Sequence, residues 1–210
     1  MQTIVYLIRH SKKINKEDID YSLSNESKQI QNEKIPLSIE GEERAKKLSE
    51  LEEFADIESI YSSNYTRTIQ TAKYLAEKRN LRINVDERFN ERKHGIFNGE
   101  INLERYYQED FKNPDGESPK EVRKRMVEGF EYAINNNKGK KIAIFTHGAA
   151  MTMLLTKWCK LEHITNDTKK TISYKGKILV DKIFNQPEIF KLILDENNDI
   201  INIENIEVNW

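Results

Sequence analysis

The sequence predicts an α/β fold: a three-layer sandwich in which a mostly parallel central sheet carries helices on both faces and an antiparallel hairpin closes the C-terminus. Three observations predict it. Short apolar runs rich in branched and aromatic residues occur at 3 to 8 (TIVYLI), 57 to 63 (IESIYSS), 81 to 87 (LRINVDE) and 141 to 147 (KIAIFTH). Helical periodicity separates most of them, the alternation that builds a parallel sheet through crossover connections. The segment EIFKLILDENNDIINIENIEV reads instead as two strands turning at Glu196 to Asp199.

The elements follow in order. TIVYLI has no polar alternation, as in a strand covered on both faces. Residues 12 to 36 hold few apolar side chains and no sustained period, so they form a long polar loop; such loops in a compact domain are functional or disordered. A helix begins near Ser38, with Glu40, Glu42 and Glu43 suiting its positive end and Ala45, Leu48 and Leu51 facing inward. Another runs from about Tyr65 to Arg79 with Ile69, Ala72, Leu75 and Ala76 as its apolar stripe. SPKEVRKRM starts a third: Ser118 is the N-cap, Pro119 lies in the first turn and Glu121 completes a capping box. Val122, Met126, Phe130, Ala133 and Ile134 fall on one face of it. A fourth runs from about Ala149 to Lys160. Residues 164 to 188 give no clear pattern, and no internal repeat is found.

The totals narrow the function. A chain of 210 residues suits a single domain over 1 to 210. Lys plus Arg number 34 against 35 acidic residues, so the net charge of -1 calls for neither nucleic acid nor an anionic membrane. The lone Cys159 cannot form an internal disulfide, and the N-terminus lacks the charged and apolar regions of a secretory signal, so a cytoplasmic location is expected. IAIFTHGAAMTMLL, the longest largely apolar stretch, is too short to span a bilayer.

The candidate chemistry gathers at strand ends. VYLIRHSKK delivers Arg9 and His10 directly after one apolar run, and IAIFTHG delivers His147 after another. Open parallel sheets bind ligands beyond the carboxyl ends of their strands, where these residues would meet. A third exit, YSSNYTRTIQTA, supplies Ser62, Ser63, Asn64 and Arg67 around a helix start, a combination suited to an anion. A fourth, RFNERKHG, supplies Glu91. Any of these alone reads as a cap, a packing residue or solvated surface; two histidines with an adjacent arginine favour a shared site.

In this order the pieces resemble the histidine phosphatase superfamily, which includes the cofactor-dependent phosphoglycerate mutases. Arg9, His10 and Ser11 match its Arg-His signature; Ser62, Ser63, Arg67, Gln70, Thr71 and Ala72 match its SSxxxRxxQTA segment. NERKHGIFNG resembles the acid-bearing segment, and DGES (115 to 118) and THG (146 to 148) match two later landmarks, over most of residues 3 to 155. The resemblance implies that His10 is the nucleophile forming a phosphohistidine, that Arg9, Arg67 and His147 bind the phosphoryl oxygens, and that Glu91 is the proton donor, with no cofactor and no metal. Imidazole suits the nucleophile because one nitrogen offers a lone pair while a backbone carbonyl can hold the other N–H.

The implied function is a metal-independent phosphomonoester hydrolase acting on a small phosphorylated substrate. A phosphoglycerate mutase-like phosphomutase and a non-catalytic phospho-ligand-binding or signalling protein are the alternatives. The mutases carry an acidic residue and later an asparagine just downstream of the Arg-His pair, where this chain has Lys12, Lys13 and an asparagine one place early at Asn15, which weakens the mutase reading; Ser11 stands where the family usually has glycine, and would carry strain if its φ were positive. Lys12, Lys13 and Arg92 form a candidate substrate rim for a second anionic group. Residues 99 to 117 form a short cap segment. His94 and His163 have less claim to the site; His94 is read as a surface residue and Cys159 as packing.

Overall fold

The computed structural model describes residues 1–96, 103–164 and 168–210. In chain order its elements are β1 (Thr3–Arg9), α1 (Lys28–Lys34), α2 (Ile39–Glu50), β2 (Ser59–Ser62), α3 (Thr66–Arg79), β3 (Ile83–Val85), α4 (Leu103–Tyr106), α5 (Pro119–Asn135), β4 (Lys141–Thr146), α6 (Gly148–Leu155), β5 (Lys160–Ile164), β6 (Lys170–Tyr174), β7 (Lys177–Lys182), β8 (Ile189–Leu194) and β9 (Ile200–Ile206). A six-stranded sheet runs β3-β2-β4-β1-β8-β9. β3, β2, β4 and β1 are mutually parallel, whereas β8 and β9 form the antiparallel hairpin at its other edge.

β1 explains why the sheet is covered on both faces. Val5 and Leu7 join the apolar cluster of α5 and α6, whereas Tyr6 and Ile8 join that of α2 and α3. All four are at most 1% exposed, and burying each such side chain contributes about 1.5–3 kcal/mol. The strand is thereby fixed from two sides, which makes its C-terminal end a rigid mount.

The helix signals act as expected at two starts. Ser38 Oγ accepts the Gly41 N–H, Ser118 and Glu121 form a full capping box, and the five predicted apolar positions of α5 are all buried. Gly41 is there for space: a Cβ would sit 1.9 Å from the Lys12 carbonyl oxygen, which itself accepts the Ser38 N–H at 3.0 Å. That contact pins the chain just after His10 to the start of α2.

Three regions differ from the sequence reading. The 12 to 36 loop contains α1, capped by Ser27, and an isolated bridge ties Lys13 to Leu37. α6 stops at Leu155, shorter than its apolar pattern suggested, and the chain goes on into β5. β5, β6 and β7 then form a separate antiparallel sheet in that order. No helix among the described residues is long and apolar enough to cross a membrane.

Candidate active site

Register brings the strand ends together. Arg9 lies opposite Thr146 in the β1–β4 pair and Ser62 lies opposite Phe145 in the β2–β4 pair, so His10, His147 and Ser63 leave the sheet side by side. The His10 and His147 rings are 5.2 Å apart between centroids. Both are buried, at 4% and 0% exposure.

His10 is held in one tautomer. Its Nδ1–H donates to the Ser11 carbonyl at 2.7 Å, leaving the Nε2 lone pair uncommitted. Burial, then the charges of Arg67 and Arg9, push its pKa well below 6.5, so the ring is neutral at physiological pH. Ser11 holds its place without strain: it is absent from the residues with positive φ, and its N–H donates to Thr71 Oγ1 at 3.0 Å. Serine in place of the family's glycine is therefore harmless to the backbone.

His147 occupies the N-cap of α6. Its Nε2 is 2.8 Å from Ser63 Oγ, and the Tyr65 ring packs edge-on at 4.6 Å. Burial chiefly, then the Arg67 charge, also lowers its pKa well below 6.5. Gly148 follows because nothing larger fits easily: a Cβ there would lie 3.2 Å from Arg9 Nε.

The two arginines are anchored by main chain far away in sequence. Arg9 Nη1 donates to the carbonyls of Phe184, at 2.8 Å, and Asn185, at 3.2 Å, in the segment before β8. Arg67 is 3% exposed, donates from Nη1 to the Asn32 carbonyl at the end of α1, and stacks on Tyr65. Burial lowers the Arg67 pKa to about 10, which still leaves it charged at neutral pH. Arg9 Nε, Arg67 Nε, Ser11 Oγ and His147 Nδ1 are buried without a hydrogen-bond partner among the described residues. Each such group costs about 1–3 kcal/mol, so a fold that keeps four of them around one pair of histidines is arranged for a polar guest.

Glu91 stands on the same pocket from the loop after β3. Its Oε1 accepts the N–H groups of Arg92 at 2.9 Å and Ala150 at 3.0 Å, and its Oε2 that of Ala149 at 3.3 Å. The carboxylate thus caps the first turn of α6, whose positive end suits an anion.

The structure does not assemble the three-residue rim. Lys13 stays within reach of the pocket charges: it is half-buried, and its pKa is lowered by burial and then by Arg67 and Arg9. Lys12 turns away to an ion pair with Glu40. Arg92 is a correction, being 3% exposed and turned inward. It donates to the carbonyls of Tyr106, Phe111 (2.7 Å) and Glu117 (2.7 Å), clamping residues 106 to 117 from below. His94 is partly buried against the Tyr106 ring, not a surface residue. The start of the cap segment at residues 99 to 102, and the side chain of His163, lie outside the described residues. Cys159 is buried, as its packing role requires.

Comparison with known proteins decides the family, since the model of the histidine phosphatase superfamily (branch 1) matches residues 5–169. The chain belongs to the histidine phosphatase superfamily. The chain is 27% identical over 165 residues to the "probable phosphoglycerate mutase GpmB" of Yersinia enterocolitica, a match covering 72% of this chain and 73% of that one. In fold it is similar to mycobacterial glucosyl-3-phosphoglycerate phosphatase Rv2419c complexed with VO3, with TM-score 0.69 and 17% identity over 98% of both chains. It is likewise similar to YhfR of Bacillus stearothermophilus, with TM-score 0.67 and 19% identity over 94% of both chains.

The site residues that sequence reasoning missed are mostly backbone acceptors. The carbonyls of Asn32, Phe184 and Asn185 aim the arginines, and a carbonyl leaves no trace in residue type. Tyr65 was read as the start of a helix, and its place beneath Arg67 and beside His147 required coordinates.

Proposed function

We propose that this histidine phosphatase hydrolyses small phosphomonoesters through a phosphohistidine at His10, without a metal. The reading rests above all on the His10 ring, whose Nδ1 is tied to a carbonyl at 2.7 Å while Nε2 is left as a neutral lone-pair donor inside a cationic nest. In the first step the Nε2 lone pair forms a bond to phosphorus as the ester P–O bond breaks, and Glu91 gives its proton to the departing alcohol oxygen. In the second, water attacks phosphorus, the P–N bond breaks, and Glu91 recovers a proton from the water. Arg9, Arg67 and His147 hold the phosphoryl oxygens and stabilise the charge that develops on them.

In this scheme Glu91 is the group that exchanges a proton first with the leaving oxygen and then with the attacking water. Its three backbone N–H donors orient it for that role. Lys13 gives the pocket an additional cation. The mutase alternative has its support in the name of the Yersinia relative. The two differ in the second acceptor, water or a substrate alcohol.

Hydrolysis of p-nitrophenyl phosphate in EDTA tests the proposal. The native chain turns over under chelation and His10→Ala does not. Activity that survives in His10→Ala, or that disappears with EDTA and returns with a divalent ion, contradicts it.

A further inference from the structure

Lys170 opens β6, immediately after the residues that the family model matches. It is 6% exposed, which is unusual for lysine unless an anion accompanies it. Here the protein provides little. The ammonium has a long 3.4 Å contact to the Thr168 carbonyl and lies 4.5 Å over the Phe184 ring. It makes no ion pair among the described residues. The carboxylate that acts on it from behind, Glu188, is committed elsewhere: it accepts the Asn185 N–H at 2.5 Å and the Asn205 amide at 2.7 Å, and it pairs with Lys182 at 3.5 Å.

The position relative to the catalytic pocket follows from Phe184. The ring beneath Lys170 belongs to the residue whose carbonyl anchors Arg9 at 2.8 Å. Burial lowers the Lys170 pKa to about 8, the Arg9 charge adds to the effect, and Glu91 and Glu188 oppose it. The ammonium is still charged at neutral pH, and the two pocket residues that act on it are a phosphate-holding arginine and the group assigned to protonate the leaving oxygen. A buried cation next to another cation costs free energy that no described carboxylate offsets within ion-pair distance.

We infer that Lys170 reads a second anionic group, a carboxylate or a further phosphate, on a phosphomonoester held at His10 and Arg9. The inference rests on the phosphomonoesterase reading and adds to it the substrate class and the residue that selects it. The antiparallel β5-β6-β7 sheet acquires a purpose in this account, since it is the element that carries the lysine to the pocket.

Two esters of similar size separate the outcomes. Phosphoglycolate carries a phosphate and a carboxylate, whereas ethyl phosphate carries the phosphate alone. Calorimetric titration is made in a His10→Ala background, which cannot turn either over. With Lys170 present, phosphoglycolate binds roughly ten- to hundredfold tighter than ethyl phosphate, and Lys170→Met brings the two to near parity. Methionine keeps an apolar stem over Phe184 and loses only the charge. Equal binding of the two esters to the chain that keeps Lys170 overturns the inference and leaves the hydrolase reading intact; so does a preference that survives Lys170→Met. Binding of neither ester sinks both. Should Lys170→Met fail to fold, the two-ester comparison on the lysine-bearing chain decides by itself, and Lys170→Arg retains the preference.

Discussion

Glu91→Gln isolates proton donation from the other duty of the side chain. In the wild type Oε1 accepts two N–H groups at 2.9 and 3.0 Å, and Oε2 accepts one, from Ala149, at 3.3 Å. A glutamine with its carbonyl oxygen at the Oε1 position keeps the two shorter bonds. Its NH₂ then faces the Ala149 N–H, donor against donor, and the longest bond is lost. One neutral hydrogen bond is worth about 1 kcal/mol, which in a chain of this size lowers Tm by roughly 2–4 °C. The variant therefore folds. Its chemistry separates by leaving group. Alkyl phosphates need the proton and slow by about 10²–10⁴-fold, whereas aryl phosphates, whose phenolate departs unaided, slow by less than about tenfold. Steady-state kinetics on a series of esters of graded leaving-group pKa, with thermal melts alongside, read both effects. Equal losses across the series would remove Glu91 from the acid role, and a collapse of the melt would show that its capping of α6 dominates.

Four further outcomes follow from the same geometry. Arg92→Met strands three carbonyls at residues 106, 111 and 117 and lowers the unfolding free energy by about 3 kcal/mol in denaturant titrations, with loosening of the cap segment visible as faster amide exchange. Lys12→Ala, which removes only an exposed ion pair, changes stability by less than about 1 kcal/mol, while Lys13→Ala raises KM with little change in Tm. Gly148→Ala pushes against Arg9 Nε and lowers kcat more than it raises KM, the outcome expected under the proposed phosphate-holding role of Arg9. His10 and His147 both have folded pKa values below 6.5, so the unfolded chain takes up their protons first. They leave stability unaffected above about pH 6.5 and reduce it as pH falls below, each by at most about 1.4 kcal/mol per pH unit, and His10→Gln removes one share of that slope.

The sheet and its helices were legible because each signal was local and doubled. β1 has uniform apolarity over its length, and α5 has a capping box joined to an apolar stripe. The pocket was legible for a different reason: parallel strands must end at one edge of their sheet, so chemistry placed at several strand ends has to meet. What escaped was whatever depends on partners distant in sequence. α1 is seven residues long, too short to show a period, and it presents the Asn32 carbonyl to Arg67. Arg92 has the same residue type as a solvated rim arginine, and only the position of three carbonyls turns it inward. The β6–β7 hairpin did leave a trace in YKGK: Lys175 and Gly176 have φ of 50° and 80°, the pair of positive values that a two-residue hairpin turn demands. Reading that dipeptide as a turn between the ISY and ILV runs would have located the sheet that carries Lys170.

The proposed mechanism depends on a covalent bond between phosphorus and one particular nitrogen. Rapid mixing with a ³²P-labelled ester, alkaline quenching within a turnover and peptide mapping detect it, because phosphoramidates survive base and are lost in acid. The account predicts acid-labile label on the peptide containing His10, transient with substrate and absent in His10→Ala. Turnover with no labelled protein, or label on a peptide that lacks His10, would contradict it.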